Sequence, residues 1–168
     1  ANPAVEGNFE PSASRTSAEW LINFSIYDTL TRNDEQGKVL PNLAESWEVG
    51  EKTITLKLRK GVKFHDGTDF NAAAVKFNYD RIMALEKKSR VYGQWEVVGS
   101  LDVIDDHTVR LNLKRPFVPL LADFAQPAGM MVSPTALEKL GDDIRLKPVG
   151  AGPFQAVEVV TDDHITLK

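Results

Sequence analysis

The chain has 168 residues, 42% of them hydrophobic and 26% charged, the balance of an ordinary soluble globular protein. Its net charge of −4 comes with no basic stripe, so nucleic acid is not an expected partner. It contains no cysteine, which excludes disulfides and thiolate chemistry, and no apolar run approaches the length of a membrane span.

The first sixteen residues contain Pro3, Gly7 and Pro11 and read as loop. Ala1 to Gly7 lack the basic start and apolar centre of a signal peptide. Thr16 and Glu19 have the spacing of a capping box, which predicts a helix over 17–27. Trp20, Phe24 and Tyr27 share one face of that helix, and core packing is the expectation for that face over ligand stacking. Asn33 to Gly37 is a turn between short extended pieces. Thr53 to Arg59 alternates polar and apolar, which puts Ile54, Leu56 and Leu58 on one face of a half-buried strand.

Asp66-Gly67 is a turn, and Asp69 or Asn71 can cap a helix over 72–86. Ala74, Val75, Phe77, Asn78, Ile82, Met83 and Leu85 give that helix its mainly apolar face, while Lys76, Asp80 and Arg81 fit a solvated one. Lys87 and Lys88 close it favourably against the helix dipole. Ser89 to Glu96 reads as loop or short turn. A hairpin follows over 100–104 and 108–113, with Leu101 and Val103 alternating on its first strand. A short helix is expected over 117–124, then a buried strand at Met130-Met131-Val132. Ser133-Pro134 starts a helix that stops at Gly141, and Pro148 to Pro153 forms a rigid connection. A second hairpin over 154–160 and 164–167 turns around Thr161 to Asp163.

No catalytic constellation emerges. His65, His107 and His164 stand in separate turns without a second ligand at metal-binding spacing, so neither a metal nor a cofactor is expected. At His65-Asp66 the expectation is a turn in which Asp66 bonds its own backbone. Gly150-Ala151-Gly152 precedes a strand pattern where a phosphate loop would need a helix. There is no nucleophile elbow, and an enzyme is not expected.

Four segments carry a family resemblance: Tyr27-Asp28-Thr29-Leu30, Leu43-Ala44-Glu45-Ser46-Trp47, the run from Leu58 to Thr68 (LRKGVKFHDGT), and Val149-Gly150-Ala151-Gly152-Pro153-Phe154. In this order they resemble the extracytoplasmic solute-binding proteins of peptide-type ABC importers, family 5, whose members include binders of oligopeptides, dipeptides, glutathione and nickel chelates. The family usually has Thr where this chain has Ala151.

The resemblance implies an α/β fold of the periplasmic binding protein type (type II, with an extra small domain). It assigns residues 1–28 to lobe one, 29–147 to an inserted small α/β domain, and 148–168 to the return into lobe one. It implies only the N-terminal part of such a protein, with lobe two absent and a leader removed upstream. The implied function is capture of a short peptide or peptide-like solute, such as a dipeptide, oligopeptide or glutathione, for an ABC permease. Hinge closure of two lobes over the solute would be its mechanism. The implied location is the periplasm, or the outer face of the membrane as a lipoprotein in a Gram-positive source.

Alternatives are another solute of the same family, such as a nickel chelate, and a receptor or interaction module without transport. The nickel reading is weakened because Gln126 to Met130 holds no arginine where those binders use one. Aligned on the family, Arg15, Thr16 and Ser17 fall on the segment that lines the cleft. There an arginine can meet a carboxylate, and a solvated loop explains its side chain equally well. Tyr92 and Trp95 fall where nickel-chelate binders present an aromatic residue, with core packing the competing reading for both.

Overall fold

The computed structural model describes residues 7–161 and 163–168. Pro3, the expectation for residues 1–6 and Asp162 of the second hairpin turn lie outside the described residues.

Helix α1 (Ser17–Ile26) begins at Thr16 with both halves of the capping box closed. Its buried residues are Glu19, Asn23 and Ile26. The expected packing face differs: Tyr27 is buried, but Trp20 and Phe24 are 42% and 41% exposed. The reason is local. Asn23 and Glu19 bond the loop before the helix, so a polar side faces inward and the Trp20–Phe24 side stays open.

Two short strands, β1 (Thr31–Asn33) and β2 (Val39–Pro41), form a small ribbon across the expected turn. Next come β3 (Ala44–Val49) and β4 (Thr53–Leu58). The phase of β4 is as the alternation requires, with Ile54 and Leu56 at 0% exposure and Leu58 at 1%. Helix α2 (Ala72–Leu85) starts at Asn71, whose side chain accepts a bond from the Ala74 N–H at 3.0 Å. Its solvated side holds the Lys76–Asp80 pair. Arg81 departs from that side and pairs with Glu10 instead, at 2.8 Å.

The stretch after α2 closes into a one-turn helix, α3 (Tyr92–Trp95), where a loop or turn was expected. Strands β5 (Val98–Asp105) and β6 (Thr108–Leu113) make the predicted hairpin. Together β3 to β6 form one antiparallel sheet in the order β3-β4-β6-β5. Because β5 is an edge strand whose register breaks between Val103 and Asp105, Val103 stands 46% exposed while Leu101 is buried. Helix α2 packs on this sheet through β5 and β6.

Helix α4 (Leu120–Asp123) starts at Pro119 and is shorter than expected. Met130 to Val132 is buried but forms no strand, only an isolated bridge between Met130 and Thr29. The side chain of Asn78 takes the place of a neighbouring strand. Its amide group donates to the Val132 carbonyl at 2.9 Å, and its carbonyl accepts from the Val132 N–H at 3.3 Å. Helix α5 (Pro134–Leu140) has Ser133 as its cap and ends on Gly141. Strands β7 (Ala156–Val160) and β8 (His164–Leu167) complete the chain as the second hairpin.

The core has two parts. The larger lies between the sheet and α2 and extends to Trp95, Phe124 and Met131. The smaller gathers Ile26, Tyr27, Met130, Val132, Ala136 and Ile144. Gly150 and Gly152 join the end of α1 to the start of the second hairpin. The Gly152 N–H donates to the Ile26 carbonyl at 2.8 Å, and the Phe154 N–H to the Ser25 carbonyl at 3.0 Å. A Cβ on Gly150 would lie 2.3 Å from the Ile26 carbonyl oxygen, so this approach requires glycine.

Candidate solute-facing recess

The segment before α1 is tied down by carboxylates. Glu19 accepts the backbone N–H of Arg15 at 2.7 Å and of Thr16 at 3.0 Å with one oxygen, and of Asn8 at 3.2 Å with the other. The Glu10 carbonyl accepts from the Ala13 and Ser14 N–H groups, and the Ser14 hydroxyl donates to it at 2.9 Å. The Glu10 carboxylate accepts from the Ser12 N–H, the Ser12 hydroxyl and Arg81. Burial, and behind it the nearby Glu10 charge, push the Tyr27 hydroxyl well above its ordinary range and keep it neutral.

These ties decide what the segment can offer a ligand. The Arg15 and Thr16 amides are already bonded within the protein, to the Glu19 carboxylate. Arg15 and Ser17 are exposed and Thr16 is half-buried.

Next to this segment lies a recess of about 230 Å³. Pro11 and Trp20 line one side; Arg90, Gln94, Gln126 and Pro127 line the other. The Trp20 ring is 42% exposed, and its indole N–H points to the Ser14 carbonyl at 3.4 Å. Arg90 forms no ion pair among the described residues, and its backbone N–H donates to the Ser12 carbonyl at 2.7 Å. The Gln94 side-chain oxygen is buried without a hydrogen-bond partner among the described residues. A guanidinium without an ion pair among the described residues, and a partly exposed indole, can receive a small molecule with carboxylate and apolar groups.

The two aromatic candidates have different positions. Trp95 is fully buried, with its indole N–H on the Ala128 carbonyl at 2.9 Å and its ring against Tyr79 and Phe124. It packs behind the recess and has no face open to a solute, because burying an indole with its N–H satisfied is the favoured use of the residue. Tyr92 is half-buried against the larger core and does not line the recess.

The sequence marks neither Arg90, Gln94 nor Gln126 as facing a solute, and weighs Trp20 toward core packing over ligand stacking. Trp20 reads as core because its spacing matches Phe24 and Tyr27, and Arg90 falls in the stretch from Ser89 to Glu96 that reads as loop or short turn. Nothing local marked either glutamine.

The other motifs have structural roles. Asp66 bonds the Thr68 N–H at 3.0 Å and hydroxyl at 2.6 Å, as expected for the turn, and also accepts from the Ser133 hydroxyl at 2.5 Å. Its slight burial favours the neutral acid, but these bonds outweigh that and hold its carboxyl below the usual range. The His65 ring lies 2.9 Å from the Gly152 carbonyl. No group of three or more His, Asp or Glu suited to a metal is present among the described residues.

The chain belongs to the bacterial extracellular solute-binding proteins, family 5; the pattern "Bacterial extracellular solute-binding proteins, family 5 Middle" matches residues 38–168. Members of this family are solute-binding components of ABC importers, not enzymes, and are periplasmic or otherwise extracytoplasmic. No helix among the described residues is long and apolar enough to cross a membrane.

The chain is 39% identical over 170 residues to the glutathione-binding protein GsiB of Salmonella choleraesuis (strain SC-B67), covering 98% of this chain and 33% of that protein. Among solved structures it resembles MoaA of A. tumefacien R10 in complex with mannopinic acid, with TM-score 0.87 and 29% identity over 97% of this chain and 34% of that one. It also resembles DppA of Helicobacter pylori in complex with peptide STSA, with TM-score 0.84 and 28% identity over 98% of this chain and 37% of that one. The chain thus spans about a third of the length of the relatives it matches.

Proposed function

We propose that this chain forms one wall of the solute cleft in the substrate-binding component of an ABC importer. The solute is a short peptide or peptide-like molecule: a dipeptide, an oligopeptide or glutathione. The observation that carries this reading is the recess between Trp20 and Arg90, where an exposed guanidinium able to receive a carboxylate meets a partly exposed indole. Similarity to a glutathione-binding protein and to a peptide complex supports the solute class. At about 230 Å³ the recess is smaller than the roughly 300–1,000 Å³ of a complete small-molecule site, as one wall of a cleft would be. The partner is the importer's membrane permease, which receives the solute after two lobes close on it.

In this reading residues 1–28 and 148–168 belong to lobe one, and 29–147 form the inserted domain. The second wall lies in the part of the relatives' length that this chain does not span. Bonds from Gly152 and Phe154 to Ile26 and Ser25 support the union of the two outer stretches. Arg15, Thr16 and Ser17 lie in the segment between Pro11 and Trp20, which line the recess, and do not line it themselves.

Titration calorimetry tests the proposal, using reduced glutathione and a dipeptide against both the 168 residues and a protein of the relatives' full length that carries them. Binding to the long form should be more than tenfold tighter, above roughly 1.4 kcal/mol, because the short form leaves the solute open to water on one side. Arg90→Ala should weaken it by about tenfold or more, and amidating the peptide's carboxylate should remove most of that difference. Equal affinity of both forms, or an Arg90→Ala protein that binds as well as the parent, would reject the assignment.

A further inference from the structure

The segment from Asn8 to Ser14 has two sides. Pro11 lines the recess, whereas Glu10 and Ser12 line a separate hollow of about 510 Å³ between this segment, α2 and the residues after α5. On that second side lies the Glu10–Arg81 pair, with side-chain exposures of 8% and 19%. The lysine–aspartate pairs of the protein are far wetter, at 60% and 68% for Lys63–Asp69 and at 38% and 55% for Lys76–Asp80.

A buried ion pair seldom stabilises a fold more than apolar side chains of the same volume would. What it does supply is a fixed geometry, since a guanidinium–carboxylate contact fails with small displacement. Here the geometry concerns the recess. Glu10 is the residue before Pro11, and it gathers Ser12, Ala13 and Ser14 around itself. Two bonds then join this knot to the helical stretch beyond it: Glu10 to Arg81, and the Ser12 carbonyl to the Arg90 N–H. Pro11 and Trp20 on one wall, and Arg90 and Gln94 on the other, are spaced by those two bonds.

We propose that Glu10 and Arg81 are positioning residues of the solute recess. They touch no solute; they set the spacing between its two walls through Pro11 and Arg90. This rests on the reading that the recess faces the solute.

The test uses a protein of the relatives' full length that carries these residues, with glutathione and a dipeptide as probes. Glu10→Gln should weaken binding about tenfold, and Arg81→Lys, which keeps the charge but loses the guanidinium, should weaken it less. The double variant Glu10→Met with Arg81→Met should recover a melting temperature near the parent's, since apolar packing can replace a buried pair. It should nevertheless keep the affinity loss. Recovery of stability and affinity together would reduce the pair to a structural role and overturn the proposal, as would a Glu10→Gln protein with parental affinity. Hydrogen exchange at the Arg90 amide decides the matter without a solute. It should quicken by at least about tenfold in Glu10→Gln while the Leu56 amide is unchanged, and an unchanged Arg90 amide overturns the proposal. A parent that binds neither probe would reject the solute reading itself, leaving the exchange result to decide the positioning role.

Discussion

Asn78 lies fully buried on α2, with both ends of its amide on the backbone of Val132. Replacing it with Leu keeps the volume but leaves a buried N–H and a buried carbonyl unpaired. That should cost about 2 kcal/mol or more in chemical denaturation; a loss below about 0.5 kcal/mol would mean Val132 finds other partners. Asp66 offers a test through pH. Its bonds to Thr68 and Ser133 outweigh slight burial, so its folded pKa is depressed. The stabilisation is therefore fully present above the ordinary aspartate value and is lost as pH falls through the lower, folded one. The stability difference between the parent and Asp66→Asn should be constant near pH 6 and shrink toward about pH 2.5. A difference that does not change over that range would contradict the depressed value. The Asp66 turn was legible in the sequence because it is made within three residues. The bond to Ser133, the core position of Trp95 and the task of Asn78 were not. Each depends on a partner brought in by the fold, and spacing along one helix cannot announce it.

Helices α2 and α5 end in nearly the same backbone geometry. Glu86 closes α2 at φ 48° and ψ −135°, and Gly141 closes α5 at φ 53° and ψ −125°. Only glycine reaches that region without strain, so α2 carries a cost that α5 avoids. Glu86→Gly should raise stability by about 1 kcal/mol in denaturant unfolding, and Gly141→Glu should lower it by at least as much. A loss in the first variant would show that the Glu86 side chain holds the turn. Elements with a clean local signal were readable: β4 from its alternation, α1 and α2 from their caps, and both hairpins from their turns. Strand β3 was not, because Glu45, Ser46, Trp47 and Glu48 do not alternate. The apolar run at Met130 reads as a strand, but its backbone makes only an isolated bridge to Thr29 before the Asn78 side chain takes over at Val132.

At the scale of the whole molecule, four short segments sufficed to reveal the family, while the recess beside Trp20 stayed hidden. Its walls come from the loop before α1, from α1 itself, from α3 and its approach, and from the loop after α4. The Gly150–Gly152 stitch also bears on how the chain folds. The sheet hairpins close over a few residues, but Gly152 reaches Ile26, and Phe154 reaches Ser25, only across the entire intervening sequence. Closing so long a loop is entropically slow until that sequence has condensed and brought its ends together. In pulse-labelling during refolding, the amides of Leu56 and Val109 should gain protection before those of Gly152 and Phe154. Gly150→Ala, whose Cβ would strike the Ile26 carbonyl, should leave the early phase untouched and slow or abolish the late one. The stitch would then act as a clasp that shuts last, and the two glycines govern the time at which the two ends of the chain become one body.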